Sequence, residues 1–99
     1  MNLTLAEFQG YIRERYHETD HRRGTPATFM WFVEEVGELA TALQKAAGEG
    51  GDTSGGENLS EEFADVLAWL CTLANINGVD LTEAVRRKYL EAADDGGHK

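Results

Sequence analysis

The feature that most constrains this 99-residue chain is an acidic and apolar decapeptide that occurs twice. Residues 34–43 read EEVGELATAL, and residues 61–70 read EEFADVLAWL. Both place two acids, a large apolar residue, a small residue and a third acid ahead of an apolar run that ends in leucine. Apolar residues that return every three or four positions are typical of a helix. The repeat therefore predicts two helices of one common design.

Each repeat directs a carboxylate into the apolar face of its own helix. At about 100° per residue, Glu35 and Glu62 lie inside the apolar arc, and Glu38 and Asp65 lie at its edge one turn later. A buried carboxylate is costly unless it is paired or bound to metal, and no Lys or Arg lies within one helical turn of these residues. A single EExxE run is usually a solvated helix face. Its recurrence in one register favours a metal site instead.

The composition of the chain limits the kinds of binding partner and the cellular compartment that are expected. A net charge of −9 and a pI near 4.6 argue against nucleic acid or an anionic membrane as a standing partner. The single cysteine, Cys71, has no internal disulfide partner and is predicted to be a core residue in a reducing compartment. The chain shows no basic-then-apolar leader and no apolar run of about 18 residues. A cytoplasmic location is expected.

The periodicity predicts an all-α domain of four helices over 1–93, at about 4–17, 26–47, 59–77 and 80–93. A polar loop is predicted over 17–25, a flexible glycine-rich link over 48–57, and a disordered tail over 94–99. His17 and His21 have zinc-ligand spacing only if a helix continues through the first loop, and the lone cysteine argues against such a site. No strand pattern is present.

The second and third helices are apolar over more than half their circumference, whereas a surface helix needs a stripe of roughly 100°. A four-helix chain of this size cannot cover so much apolar surface, so a homodimer or homotetramer is predicted. The two long helices are predicted to pack antiparallel at about 8–10 Å. That packing brings the two repeats face to face, and four carboxylates converge.

An all-oxygen, anionic ligand set selects hard cations, Mg²⁺ first and Mn²⁺ as the alternative. Magnesium held by few protein ligands usually takes substrate phosphates as its remaining ligands. Such an ion can neutralise a polyphosphate and activate water, which are the requirements for hydrolysing a phosphoanhydride. The residues alone do not decide which bond is cut.

The paired motif, EExxE on one helix and ExxD on the next, resembles that of the MazG-like all-α nucleoside triphosphate pyrophosphohydrolases over nearly the whole chain. The matching pieces outside the repeats are Asp20-x-x-Arg23-Gly24, Thr28-Phe29-Met30-Trp31, Gly78-Val79-Asp80-Leu81 and Lys88. The resemblance implies Mg²⁺-dependent hydrolysis of (deoxy)nucleoside triphosphates between the α- and β-phosphates. The products would be a nucleoside monophosphate and pyrophosphate, and a house-cleaning role in the nucleotide pool would follow.

By position, Glu35, Glu38, Glu62 and Asp65 match the metal ligands of the family, which are also its catalytic residues. Lys88 matches a basic position that can meet phosphate, but the sequence then departs from the family, because Tyr-Leu-Glu and an acidic tail replace the basic tail common in relatives. The related phosphoribosyl-ATP pyrophosphohydrolases fit less well, since the chain has Ala68-Trp69 where they have Tyr-His.

Three further residues are candidates for substrate binding. Arg23 is a cation just before the first acidic repeat in an acidic protein, although a solvated connector is the simpler interpretation. Trp31 lies close to the buried acids on the wheel and could stack on a base or simply pack in the core. Asn75 could hydrogen-bond a sugar or base, or be an ordinary exposed residue.

Two other functions remain open at this point. One is a catalytically silent, metal-stabilised helical oligomer that serves as an interaction or regulatory module. The other is a helical adaptor whose apolar arcs bind another protein's helices while the acids provide solubility. Size in solution with and without Mg²⁺ distinguishes these two, and pyrophosphate release distinguishes both from the enzyme.

Overall fold

The computed structural model describes residues 2–48 and 53–91 of the chain, with side chains for 2–48 and 58–91. Its helices are α1 (Leu5–Ala47), α2 (Thr53–Ile76), α3 (Leu81–Val85) and a π-helix that continues α3 (Arg86–Glu91). No strand occurs in these residues, so the prediction of an all-α protein is confirmed. The predicted tail at 94–99 lies outside the described residues.

The prediction of four helices is not confirmed, because the described part of the chain has three α-helices, the first of which is bent at Gly24. The segment predicted as a loop, 17–25, is helical except at Gly24, where φ is 79° and ψ is 170°. Nothing between His17 and Arg23 breaks a helix, and glycine is the residue that adopts this φ without strain. Pro26 follows in the first turn of the next helical segment, where proline is tolerated.

Gly24 therefore divides α1 into two arms without an intervening loop. A straight helix of 43 residues would be about 64 Å long. The longest extent of the molecule is only 43 Å, so the two arms are strongly bent against each other. We call them the N-arm, before Gly24, and the C-arm, after it.

The helix ends follow capping chemistry that is visible in the sequence. Thr4 Oγ1 accepts a hydrogen bond from the Glu7 amide at 3.1 Å, and the Glu7 carboxylate accepts one from the Thr4 amide at 2.9 Å. Asp80 accepts one from the Glu83 amide at 3.1 Å at the start of α3. Side-chain acceptors at these positions satisfy amides that have no partner within the helix. The predicted starts of the first and last helices are confirmed.

The link between the two long helices is shorter than predicted. α2 begins at Thr53 rather than near residue 59, so the segment 53–57 is helical. Extending an existing helix by a residue is easier than nucleating a new one, which allows even glycine-containing turns to join it. Residues 49–52 of the predicted link lie outside the described residues. At its other end α2 stops at Ile76, and Gly78, which has a φ of 67°, follows two residues later.

The C-arm of α1 and α2 run antiparallel, as predicted. Trp31 faces Trp69 with ring centroids 6.1 Å apart, and Glu35 lies beside Glu62 and Asp65. Residue numbers therefore fall along one helix as they rise along the other. This pairing carries the two acidic repeats to the same level of the helix pair.

Gln9, a buried residue of the N-arm, fastens that arm to the end of α2 and the start of α3. Its Nε2 donates to Asn75 Oδ1 at 3.0 Å and to the Val79 carbonyl at 2.7 Å, and its Oε1 accepts from the Leu81 amide at 3.0 Å. Among the residues whose side chains are described, the buried apolar ones are Ile12, Ala42, Cys71 and Ala74. Cys71 is fully buried, and burial raises the pKa of its thiol.

Many large apolar side chains of the chain stay exposed. They include Leu3, Phe29, Met30, Val33, Val36, Leu43, Phe63, Leu67, Leu70, Val85 and Leu90. Within the described residues, no helix is both long enough and apolar enough to cross a membrane.

Candidate active site

Three carboxylates from two helices converge between the C-arm of α1 and α2. Glu35, Glu62 and Asp65 each offer an oxygen, and these oxygens all lie within 4.8 Å of one another. Glu35 and Glu62 are half-buried and Asp65 is exposed. The antiparallel pairing produces this cluster, because each helix contributes the same part of its repeat.

The wheel positions of the acids agree with their burial. Glu34 and Glu61, the first acids of the two repeats, are exposed, whereas the second acids, Glu35 and Glu62, are half-buried. One-residue steps of about 100° account for the difference. The cluster therefore selects one member of each acidic pair.

One oxygen of each half-buried acid has no protein partner. Glu35 Oε2 and Glu62 Oε2 are shielded from solvent and have no hydrogen-bond partner. A buried carboxylate oxygen without a donor carries a large desolvation cost. A cation between the two helices would satisfy both oxygens.

Mutual repulsion and burial raise the pKa of both half-buried acids. Burial raises the pKa of Glu35 to about 7, with contributions from a hydrogen bond with Glu38 and from the charges of Glu38, Asp65 and Glu62. Burial is also the largest cause of the raised pKa of Glu62. The charges of Glu38 and Asp65 and a hydrogen bond with Glu38 raise it further. Glu38, exposed at the edge, thus interacts with an acid on each helix. The structure therefore brings together Glu35, Glu62 and Asp65, and Glu38 lies near enough to raise the pKa of Glu35 and of Glu62.

An aromatic and cationic layer lies next to the acids. Trp31 precedes Glu35 by one helical turn, and Trp69 follows Asp65 by one turn. The two indoles are nearly parallel, with 12° between their planes. The Arg23 guanidinium lies 5.1 Å from the centroid of the Trp69 ring. Arg23 and Trp31 are therefore on the same side of the cluster, joined through Trp69.

Asn75 and Lys88, the two other residues predicted to bind substrate, each contact another residue of the chain. Asn75 is hydrogen-bonded in both directions with Gln9, since its Nδ2 donates to the Gln9 carbonyl at 3.3 Å and its Oδ1 accepts from Gln9. Lys88 is exposed on the π-helix, with its ammonium 5.7 Å from the ring of Tyr89. The structure gives Asn75 a role in fastening the N-arm, and substrate contact by either residue stays a prediction.

The structure places two further residues, Lys45 and Asp20, in cavities that the sequence did not predict. Lys45 lines a cavity of about 240 Å³ together with Glu38 and Glu62. Lys45 follows Glu38 by seven residues, which is two turns along the same helix face, and this spacing could have predicted that the two side chains lie near each other. Asp20 is 3% exposed and lies beside Arg23, although the predicted loop would have left it in solvent.

Comparison with known proteins gives two matches. Residues 24–90 match the model of the MazG nucleotide pyrophosphohydrolase domain. The chain is also 35% identical over 88 residues to a protein of Cyanophage S-2L named dATP/dGTP diphosphohydrolase, covering 89% of this chain and 72% of the phage protein. The matched region contains both acidic repeats and the link between them. These matches confirm the resemblance that the paired motif indicated.

Proposed function

The chain belongs to the MazG nucleotide pyrophosphohydrolase family, and on that premise we propose that it hydrolyses (deoxy)nucleoside triphosphates to a monophosphate and pyrophosphate with the help of a divalent ion. The observation that carries the proposal is the convergence of Glu35, Glu62 and Asp65 within 4.8 Å. The name of the phage relative suggests dATP and dGTP as the first substrates to test.

The residues present fit a hard divalent cation. The proposed ligands are Glu35, Glu38, Glu62 and Asp65, which offer only carboxylate oxygens, as Mg²⁺ and Mn²⁺ prefer. The unpartnered Oε2 atoms of Glu35 and Glu62 support this assignment. When bound, the ion would neutralise phosphate charge and favour ionisation of water.

The chemistry proposed for the site is attack of water on the α-phosphorus. A bond forms between the water oxygen and that phosphorus, and the bond from the α-phosphorus to the bridging oxygen breaks. Pyrophosphate leaves with the bonding electrons, and the protons of the water pass to solvent or to an adjacent carboxylate. Lys45 lines the cavity beside Glu38 and Glu62, and we propose that it contacts phosphate charge from the same subunit.

The other proposed contacts lie on two sides of the carboxylates. Trp31 and Arg23 belong to the layer around Trp69, which suits the base of the nucleotide. Lys88, on the π-helix, is proposed to meet phosphate. Asn75 is proposed to reach the sugar or base by exchanging its hydrogen bonds with Gln9.

A product analysis in ¹⁸O-labelled water tests the proposal. With Mg²⁺ and a panel of nucleoside triphosphates, we expect pyrophosphate and a monophosphate that carries the label. Asp65→Asn should lower kcat by about 10²-fold or more, because it removes one electrostatic contact that stabilises the transition state. Glu61→Gln is the matched control, since Glu61 is an exposed acid of the same repeat. Orthophosphate and a diphosphate as products would refute the bond assignment, and no turnover across the panel would refute the proposal.

We also propose that the active protein is a homo-oligomer, a dimer or a tetramer. The exposed apolar residues of α1 and α2, with Met30 73% and Phe63 54% exposed, form faces that a second copy can cover. Light scattering at micromolar concentration should give a multiple of 10.9 kDa. Phe63→Glu should shift the equilibrium towards monomer, and a wild-type monomer would contradict the proposal.

A further inference from the structure

A second cavity, of about 310 Å³, lies between the N-arm of α1 and α2. Tyr16, Asp20 and Arg23 line it from the N-arm, and Trp69 lines it from α2. Its volume is at the small end of the range for small-molecule sites, which suits one ring system rather than a whole nucleotide. The carboxylate cluster does not use this cavity.

Asp20 is the unusual residue of this cavity. It is 3% exposed, and one oxygen, Oδ1, accepts a hydrogen bond from Arg23 at 3.0 Å. The other oxygen, Oδ2, is buried and has no partner. Because the Arg23 cation already pairs with this carboxylate, the expected partner of Oδ2 is a neutral N–H or O–H donor rather than a second cation. The ion pair with Arg23 therefore satisfies Oδ1 of Asp20 and leaves Oδ2 without a hydrogen bond.

The cavity is at a suitable distance from the acids. Trp69 follows Asp65 by four residues on α2, which corresponds to about 6 Å along the helix axis. The base of a nucleotide whose α-phosphate lies at the acids can therefore reach Trp69. Trp69 lines the cavity beside Arg23 and gives it an apolar wall that suits such a ring.

We propose that this cavity is the nucleobase subsite and that Asp20 is its specificity-determining residue, accepting a hydrogen bond from an N–H group on the edge of the base. The inference rests on the proposed function, because it assumes a nucleotide whose phosphates lie at the carboxylate cluster. Arg23, which pairs with Asp20, offers a donor beside this acceptor for a ring nitrogen or carbonyl of the same base.

Nucleotides that lack the N–H group test the inference without altering the protein. The triphosphate of purine 2′-deoxyriboside has the ring of dATP and no N–H on the edge that carries the amino group of adenine. The better substrate of dATP and dGTP should exceed it in kcat/KM by about 10- to 100-fold, the effect of one hydrogen bond to a charged group. The same comparison for dCTP uses the triphosphate of 2-pyrimidinone deoxyriboside, which is cytosine without its amino group.

Variants then assign the effect to Asp20. Asp20→Ala should lower kcat/KM for the natural nucleotide and leave the analogue nearly unchanged, so most of the preference is lost. Glu18→Gln is the matched control, because Glu18 is an exposed acid on the same arm and should retain the full preference. Helix content by circular dichroism checks that each variant is folded.

The outcomes separate this inference from the proposed function. Absence of pyrophosphate from every nucleotide would refute the proposed function. Turnover with equal kcat/KM for natural nucleotide and analogue would overturn the base subsite and leave the proposed function intact. An equal loss on both nucleotides in Asp20→Ala would show that Asp20 only holds the arm in place, which also overturns the inference. If the variant does not fold, the comparison of nucleotides on the wild-type protein still decides.

Discussion

Replacing Glu35 by Gln should stabilise the metal-free protein at alkaline pH while weakening its response to metal. Gln has nearly the shape of Glu but no charge, so it removes one member of the repelling cluster. Its amide can also donate a hydrogen bond to Glu38, Glu62 or Asp65. Sites that need several carboxylates for function keep them despite their mutual repulsion. Replacing one of these carboxylates is therefore expected to increase stability while impairing function.

The magnitude follows from the pKa of Glu35, which burial and the neighbouring acids raise from 4.5 to about 7. Each pKa unit corresponds to about 1.4 kcal/mol, so the full difference corresponds to about 3 kcal/mol. Because Glu35 is only half-buried and solvent screens part of the interaction, we expect about 1–2 kcal/mol. For a domain of this size that is a rise in Tm of about 4–16 °C.

The pH dependence gives the sign. Below pH 4.5 Glu35 is protonated in the folded and the unfolded state and costs nothing. Between pH 4.5 and 7 the folded protein holds a proton that the unfolded chain has released, so stability falls as the pH rises. Above pH 7 the carboxylate is ionised in both states and the cost is complete. Glu35→Gln should therefore match wild type near pH 4 and exceed it at pH 8.

Thermal unfolding by circular dichroism measures this at a fixed protein concentration, in EDTA and in Mg²⁺. Wild type should gain stability with Mg²⁺ at pH 8, and the variant should gain much less. Glu34→Gln is the control, because it makes the same change in net charge at an exposed neighbour. A Glu35→Gln variant that is less stable than wild type in EDTA at pH 8 would refute the reasoning.

Three further substitutions probe other parts of the structure. Glu62→Gln should reduce the Mg²⁺-induced rise in Tm much more than Glu61→Gln, since only Glu62 lies in the cluster, and equal effects in thermal unfolding would contradict the burial assignment. Gln9→Leu should lower the free energy of unfolding by about 2–4 kcal/mol in urea titrations, because three hydrogen bonds are lost and their partners stay buried in part; Gln44→Leu, at an exposed position, should change it little. Gly24→Ala should cost about 1–3 kcal/mol in the same assay, since φ is 79° there, whereas Gly10→Ala, at a helical position with open space around it, should be neutral or stabilising. An unchanged Gly24→Ala protein would mean that the bend does not need this backbone conformation.

Periodicity in the sequence was sufficient to predict the helical class and the choice of acids. Side chains on a helix recur about every 100°, so burial of Glu35 rather than Glu34 follows from the sequence spacing alone. The capping acceptors at Thr4 and Asp80 are equally local, because each bonds an amide only three residues away. Local rules of this kind need no knowledge of the rest of the fold.

The tertiary structure decided what depends on distant contacts. The chain bends at Gly24 alone instead of forming a loop over 17–25, and the N-arm lies against α2. Burial of Asp20, with one satisfied oxygen and one free, follows from that packing and has no signature in the spacing of charges. Asn75 looked available to a ligand on a helical wheel, yet Gln9, 66 residues earlier, occupies its amide. A wheel describes one helix, whereas these partners lie far apart in the sequence and meet only when the helices pack.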